Sequence, residues 1–346
     1  MNPYALSIFL SSLALGTITT ISSYNWILAW IGLEINTLAI IPLMTKTPHP
    51  RAIEAATKYF LTQAAASSLI LFSCIINAWT TGEWTINPPS DPSYAPTILL
   101  SIAIGMKLGI APLHFWLPEV MQGLNLQTGF ILLTWQKLAP MALLIQLSDA
   151  INLNLMLTLG LISAIIGGWG GINQTQVRKI LAFSSVANLG WMVAVLKISP
   201  QLTLFYFILY VTMTSTLFLA LILMNTKRIS ELSTSWTKSP SLTALSLLLI
   251  LSLSGLPPLT GFSPKWLVAQ ELIKQDLTSF TFIILLASLL SLFFYLHLTY
   301  ILSLTLAPNM THSTSNWPHQ KKTPIATPII LSLTILPATP IMLALF

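Results

Sequence analysis

Charge is scarce in this chain. Only 7% of its 346 residues are Asp, Glu, Lys or Arg, whereas 54% are hydrophobic. Soluble domains carry about a quarter charged residues, so the composition excludes an ordinary soluble domain. Apolar runs of about twenty residues, the length of a membrane-spanning helix, recur along the whole sequence. The composition therefore indicates an all-α polytopic membrane protein.

Cysteine is also nearly absent. The one cysteine, Cys74, excludes an internal disulfide and an iron–sulfur cluster held by this chain, and we interpret it as a small buried apolar side chain. The sequence has no Cys/His spacing suited to zinc, no G-x-G-x-x-G segment and no Walker loop. We therefore predict no metal and no cofactor in this chain. The net charge of +6 indicates membrane orientation rather than nucleic-acid binding.

The apolar runs predict about eleven transmembrane helices. The first run begins at Pro3 without a preceding basic segment or cleavage site, so we expect it to be retained. The ninth run is too long for one straight crossing, and its surplus coincides with a cluster of Pro and Gly. The predicted spans are 3–22, 24–44, 55–79, 95–117, 123–146, 152–172, 178–196, 200–224, 240–272, 276–304 and 325–344.

The basic residues of the loops fall mainly on one side of the membrane. If the spans alternate, one side receives Lys46, Arg51, Lys58, Arg178, Lys179, Lys227, Arg228, Lys238, Lys321 and Lys322. The acidic residues on that side are Glu54, Glu119 and Glu231. The opposite side receives Lys197 and Lys274 with Glu83, Asp91, Asp149, Glu271 and Asp276. Because basic loops stay on the inner side, we predict the N-terminus there and the C-terminus opposite.

The order of the spans predicts a single membrane domain, 1–346, built from two five-helix repeats and a C-terminal helix. The predicted boundaries are 3–146, 152–304 and 325–344. The number of residues between the starts of the two repeats, added to the position of Pro112 in the fourth span, gives the position of Gly261 in the ninth span. Each repeat is therefore predicted to interrupt its fourth helix. An odd number of spans inverts the second repeat. Inverted repeats with broken helices are typical of secondary transporters, in which the breaks mark the ion path.

Proline explains why such breaks matter in a membrane. A proline removes a backbone hydrogen bond and leaves a carbonyl that hydrocarbon cannot satisfy. A single proline would favour a simple kink. In the ninth span, however, Pro257, Pro258 and Pro264 occur together, and the fourth span contains a matching break. This combination favours an irregular segment that lines a polar path.

Ionisable side chains occur inside the spans. Glu34 lies in the second span, Lys107 in the fourth, Lys137 in the fifth, and Lys265 follows the break in the ninth. A charge at mid-bilayer costs about 2.5 to 3.5 kcal/mol, so these groups are expected to face the interior and pair with each other or with water. Buried amines and carboxyls that exchange protons near pH 7 suit a proton relay. His114, beside the first break, is a further candidate, and structural ion pairs or hydrogen bonds are the alternative for all five.

Three segments, GMKLGIAPLHFWLPE, RKILAFSSVANLGWM and LSGLPPLTGFSPKW, resemble signature segments of the antiporter-like membrane subunits of respiratory complex I. The likeness extends over essentially the whole chain. It implies that Glu34 and Lys107 form a modulating pair, that Lys137 is the central relay and that Lys265 passes the proton toward the far half-channel.

The resemblance also bears on two other polar residues of these segments, His114 and Asn188. His114 matches the histidine of the family's broken-helix segment, which makes it a possible relay residue. Many relatives carry His where Asn188 stands in this sequence. An asparagine cannot titrate, so at this position the chain can only order water.

The resemblance also implies a setting. It places the chain in the inner mitochondrial membrane, with the N-terminus in the matrix and the C-terminus in the intermembrane space, among neighbouring antiporter-like subunits and lipids. The chain would be a proton-translocating subunit of NADH:ubiquinone reductase, while NADH, FMN, iron–sulfur clusters and ubiquinone belong to other subunits. A stand-alone cation/proton antiporter and a non-pumping structural spacer of the membrane arm are the alternatives.

Overall fold

A computed structural model describes residues 3–46, 48–86, 94–237, 239–304, 326–334 and 336–339. Within these residues the chain is almost entirely helical, and its only β-type pairings are the isolated bridges Asn25–Thr85 and Gln176–Arg228. The predicted all-α class is therefore confirmed. The helices are α1 (Pro3–Ser22), α2 (Trp26–Met44), α3 (Pro50–Thr81), α4 (Tyr94–Leu108), α5 (Trp116–Gly123), α6 (Leu126–Leu133), α7 (Trp135–Gln146), α8 (Leu153–Gly171), α9 (Val177–Val195), α10 (Pro200–Met224), α11 (Ile229–Ser233), α12 (Pro240–Ser254), α13 (Phe262–Lys274), α14 (Thr278–Leu304) and α15 (Ala326–Thr334).

The chain divides into two compact units. The first unit is Met1–Ser163 with Met192–Pro200, and the second is Ala164–Trp191 with Gln201–Phe346. In the first unit, α1 packs along α2, and α3 packs against α2, α4 and α5. In the second unit, α14 packs against α11, α12 and α13. The repeat boundaries expected from the sequence remain a prediction.

Seven of the described helices are long and apolar enough to cross a membrane, namely α1, α2, α3, the α6–α7 stretch, α8, α10 and α14. The helices α4 and α12 are shorter apolar helices. The count of eleven spans remains a prediction, and the last expected span lies largely outside the described residues. Asp91, Lys238, Lys321 and Lys322 of the loop analysis also lie outside them.

Two glycines bring α1 and α2 into close contact. A Cβ added to Gly16 would stand 2.5 Å from Oδ1 of Asn36 and 2.9 Å from the carbonyl oxygen of Gly32. A Cβ added to Gly32 would stand 2.6 Å from Oγ1 of Thr19 and 2.9 Å from the carbonyl oxygen of Gly16. Both positions therefore exclude a side chain, as is common where membrane helices approach closely.

Both predicted helix breaks are present. The first break (residues 109–115) separates α4 from α5 after Gly109, whose φ of +79° favours glycine. The second break (residues 255–261) separates α12 from α13 after Gly255, whose φ is +86°. A third interruption, at Thr134 between α6 and α7, falls inside the predicted fifth span and was not expected.

An ion-pair cluster ties α5 to α3 beyond the first break. Lys58 Nζ lies 2.7 Å from a carboxylate oxygen of Glu54 and 2.8 Å from one of Glu119. The three side chains are substantially exposed, so water screens both pairs and they add little to stability. Gly123 adds a tighter constraint, because its missing side chain makes room for the Arg51 carbonyl and the Ala55 methyl group.

Candidate functional site

Lys107 lies in the last turn of α4, immediately before the first break. The chain leaves the helix in a Schellman arrangement: the amide of Ile110 donates to the Gly105 carbonyl at 2.9 Å, and that of Gly109 to the Met106 carbonyl at 3.2 Å. A helix C-terminus carries partial negative charge, which favours a nearby cation. The Lys107 side chain is buried, and within the described residues its Nζ has no hydrogen-bond partner in the protein.

Lys107 and Lys137 line one cavity, which we call the lysine cavity. Its other polar lining residues are Asn36, Thr37, Tyr59, Gln63 and Gln136. The volume that water can occupy in this cavity is about 20 Å³. Roughly 10 to 15 Å³ suffices for one water molecule. Helices α2, α3, α4 and α7 thus place two lysines around a polar space large enough for water.

Lys137 reaches this cavity from the first turn of α7. It is only 3% exposed and follows the interruption at Thr134. Pro140 lies one turn later in the same helix and removes the amide that would bond the Gln136 carbonyl. The side chain of Gln136 bonds to α2, since its Nε2 donates to the Asn36 carbonyl at 3.3 Å. This bond links the helix of Lys137 to the helix of Glu34.

Glu34 lies beside the lysine cavity but does not line it. Its side chain is half-buried on α2. The Thr37 hydroxyl, which does line the cavity, shares its one proton between the Glu34 carbonyl oxygen at 2.9 Å and Glu34 Oε2 at 3.1 Å. Within the described residues no ion pair of 4.0 Å or less joins Glu34 to Lys107. The expected pair is therefore not a direct ion pair, and its role remains a prediction.

His114 lies in the first break but does not line the lysine cavity. It is 2% exposed and packs against Phe115, with ring centroids 4.5 Å apart. Its carbonyl accepts the amide of Leu117 at 3.0 Å at the start of α5. The structure thus places His114 beside the break without bringing it to the two lysines.

Lys265 belongs to the second unit and lies in the first turn of α13. It is 9% exposed, and its Nζ donates to the carbonyl oxygen of Ser254 at 2.9 Å. Ser254 ends α12, so the ammonium group caps a carbonyl at the helix end. Pairing with another charge or with water was expected, and this bond to the backbone differs from that prediction. It also explains why a lysine stands beside a break.

The geometry of the second break depends on two glycines. A Cβ on Gly255 would stand 3.0 Å from Lys265 Nζ, and one on Gly261 would overlap the Ser252 carbonyl oxygen. Thr260, between them, donates to the Ser332 carbonyl at 2.7 Å. The break is therefore a tightly packed segment in which Lys265 has little freedom.

Asn188 is buried on α9 and bonded to a neighbouring helix. The Tyr206 hydroxyl of α10 donates to its Oδ1 at 3.2 Å. The Asn188 amide is therefore engaged with a phenol. Whether it also orders water, as the sequence suggested, remains a prediction.

Sequence reasoning missed the uncharged polar residues of the lysine cavity. Thr37, Gln63 and Gln136 lie within otherwise apolar spans, and a search for ionisable groups passes over them. Amides in the middle of an apolar helix are the signal that could have identified Gln63 and Gln136. Within the described residues there is no group of three or more His, Cys, Asp or Glu that could hold a metal ion.

Comparison with known proteins identifies the family of the chain. Residues 23–291 match the family described as NADH:quinone oxidoreductase/Mrp antiporter, TM, and residues 292–343 match NADH dehydrogenase subunit 2 C-terminus. The NADH-ubiquinone oxidoreductase chain 2 of Aquarana catesbeiana is 59% identical, with 100% of both chains covered. That of Xenopus laevis is 58% identical, with 99% of this chain and 100% of the relative covered.

Solved structures share the fold. A chain in the structure of respiratory complex I from Thermus thermophilus with bound aureothin is 26% identical, with a TM-score of 0.86 over 99% of this chain and 80% of that chain. A chain of the Mrp complex from Dietzia sp. has the same fold at 18% identity, with a TM-score of 0.78 over 97% of this chain and 74% of that one. The sequence, the fold and the buried lysines agree, and the chain belongs to the NADH-ubiquinone oxidoreductase chain 2 family of antiporter-like membrane subunits.

Proposed function

We propose that Glu34, Lys107, Lys137 and Lys265 carry the protons that this chain translocates as a membrane subunit of respiratory complex I. The oxidation of NADH and the reduction of ubiquinone take place in other subunits, and their free energy drives proton movement here. The observation that carries the proposal is the lysine cavity, where two buried amines face one polar space with room for water.

Each residue has its own part in the relay. Lys107 and Lys137 exchange a proton across the cavity. Glu34 adjoins the cavity through the Thr37 hydroxyl, and in this proposal its carboxylate modulates Lys107. Lys265 takes the proton onward toward the far half-channel, and His114 is a further candidate beside the first break.

One observation favours a structural role for Lys265. Its bond to the Ser254 carbonyl satisfies a buried acceptor, and leaving such an acceptor unpaired costs about 1 to 3 kcal/mol. A spacer whose lysines only cap helix ends would show this contact. Such a spacer does not account for Lys107, whose Nζ is buried without a hydrogen-bond partner in the described part of the chain.

The proposed setting is the inner mitochondrial membrane, with the N-terminus in the matrix and the C-terminus in the intermembrane space. The described basic residues at helix ends, such as Lys46, Arg51, Arg178 and Lys227, support this orientation by the positive-inside rule. Other membrane-arm subunits and lipids would cover the apolar residues that the chain exposes. A stand-alone antiporter, by contrast, would be active without partners.

The test of the proposed function is Lys137→Met in the assembled complex. Methionine fills much of the space of the lysine but carries no proton. We therefore expect assembly and NADH oxidation to persist, while proton pumping through this subunit is lost. The measurement is the number of protons pumped per NADH oxidised in sealed membrane vesicles. An assembled variant with an unchanged ratio would refute the relay.

A further inference from the structure

Gln63 stands out among the residues that line the lysine cavity. It lies in the middle of α3, is 4% exposed, and its Nε2 has no hydrogen-bond partner within the described residues. A buried donor left unpaired is destabilising, because it has lost its hydrogen bonds to water without replacing them. Methionine has nearly the same shape and would avoid this cost, so packing alone does not explain an amide at this position.

Four polar groups around the cavity match the needs of one water molecule. Gln63 Nε2 and Lys107 Nζ are two buried donors without protein partners in the described residues. Thr37 Oγ1 already donates to Glu34 and keeps its lone pairs as acceptors. Lys137, when neutral, offers a nitrogen lone pair. A buried water typically makes about three such bonds, within a range of two to four.

Asn36 is not part of this set. Its Oδ1 also lacks a hydrogen-bond partner in the described residues, but it packs over the backbone of Gly16, where a Cβ would stand 2.5 Å from it. The Gln136 amide is engaged with the Asn36 carbonyl. Gln63 is therefore the amide of the cavity that remains available for water.

We propose that Gln63 and Thr37 hold a single water molecule that bridges Lys107 and Lys137. The proposal rests on the proposed function and makes Gln63 and Thr37 positioning residues. Gln63 supplies a donor that cannot titrate, so the water stays in place whichever lysine is charged. Thr37 links the same water to Glu34 through its hydroxyl.

The proton transfer across this water balances. The Lys107 ammonium loses one N–H bond as its proton forms an O–H bond with the water, and the water gives a different proton to the neutral Lys137 amine, which gains an N–H bond. Lys107 ends neutral, Lys137 ends as an ammonium, and the water is regenerated. One positive charge moves between the lysines, and no other reactant is needed.

The test compares three variants with Lys137→Met in the assembled complex. Gln63→Met removes the donor at nearly constant volume, and we expect the protons pumped per NADH to fall to the value of Lys137→Met while NADH oxidation and assembly persist. Gln63→Asn restores an amide and leaves space for a second water, so we expect it to recover most of the ratio. Gln146→Met is the matched control, because Gln146 is in the same unit and bonds the Ile21 carbonyl away from the lysine cavity.

The outcomes separate this inference from the function on which it rests. If Gln63→Met pumps normally while Lys137→Met does not, the water site is wrong and the relay stands. If both variants pump normally, the relay itself fails. A loss in Gln146→Met as large as that in Gln63→Met would also overturn the proposal.

A map of the native complex that resolves water provides a test without substitution. Water density within hydrogen-bond distance of both Gln63 Nε2 and Lys107 Nζ is expected. A dry cavity would overturn the inference even if Gln63→Met failed to assemble.

Discussion

The two helix breaks use a lysine in opposite ways. At the first break, Lys107 precedes the interruption and lines the lysine cavity, and its Nζ has no protein partner in the described residues. At the second break, Lys265 follows the interruption, and its Nζ is bonded to the Ser254 carbonyl. A lysine near a break can therefore serve as an available proton carrier or as a cap for the backbone. The distinction is local and depends on which side of the break the lysine occupies.

The largest expected difference between the breaks is in stability. Lys265→Met leaves the buried Ser254 carbonyl unpaired, so we expect it to destabilise the second unit by about 1 to 3 kcal/mol. Lys107→Met removes a buried amine that has no protein hydrogen-bond partner among the described residues, so stability should be unchanged or raised. Heat-induced disassembly of the complex, followed by native gel electrophoresis, measures both. Equal losses in the two variants would break the comparison.

Glycine substitutions sharpen the same contrast. Gly255→Ala places a Cβ in the left-handed region, which costs about 1 to 2 kcal/mol, and also 3.0 Å from Lys265 Nζ, so both stability and pumping should fall. Gly105→Ala is the control before the first break, because its Cβ would meet only the Ile110 side chain, at 3.6 Å. We expect this control to stabilise α4 by up to about 1 kcal/mol. Normal pumping in Gly255→Ala would show that crowding Lys265 has no consequence.

The coupling of Glu34 to Lys107 is expected to be smaller, since no contact joins them. We expect a coupling energy of about 0.5 to 1 kcal/mol, near the lower end of values for interacting residues. A double-mutant cycle with Glu34→Gln and Lys107→Met, read out as the rate of proton uptake, measures it. Purely additive effects would show that Glu34 does not modulate the first break.

The smallest expected effect concerns Glu231. Its carboxylate accepts hydrogen bonds from backbone amides at a helix start, whereas Lys265 donates to a backbone carbonyl at a helix end. The backbone amides of Lys227 and Arg228, which donate to its Oε2 at 2.6 and 3.4 Å, hold the pKa of this carboxyl below its ordinary value. The resulting stabilisation of α11 is complete above the ordinary carboxyl pKa and is lost as pH falls through the lowered value. Hydrogen exchange of the two amides, corrected for its intrinsic pH dependence, should show this loss, and Glu231→Gln should show no such step.

Much of the fold follows from hydrophobic runs and breaking residues. Helices α1, α2, α8 and α10 begin and end within two residues of the predicted spans, because apolar length is a strong signal in a membrane protein. Clustered Pro and Gly predicted both breaks. The interruption at Thr134 was missed because threonine is common in membrane helices and carries no comparable signal. At this interruption the Thr134 hydroxyl donates to the Phe130 carbonyl at 2.7 Å, a contact that the residue type alone does not reveal.

The candidate site was predictable only in part. The charged residues could be found because a buried charge is costly and therefore rare. The Ser254 carbonyl could not be predicted as the partner of Lys265, because every residue has a carbonyl. Only the folded break shows which carbonyl lacks a backbone amide as its partner. Gln63 and Thr37 were missed for a related reason, since their importance comes from the cavity that they share with the lysines.

The contact between Gly16 and Gly32 has a consequence for a helix without any charge. Helix α1 contains no ionisable side chain in its interior, yet α2 rests its backbone on it only two residues before Glu34. A side chain at Gly16 would push α2 away from α1. The Glu34 carboxylate would then move relative to the Lys107 and Lys137 amines. Gly16 also contacts Asn36, which lines the lysine cavity, so we expect substitutions at Gly16 to alter the proposed proton transfer although α1 carries no charged residue.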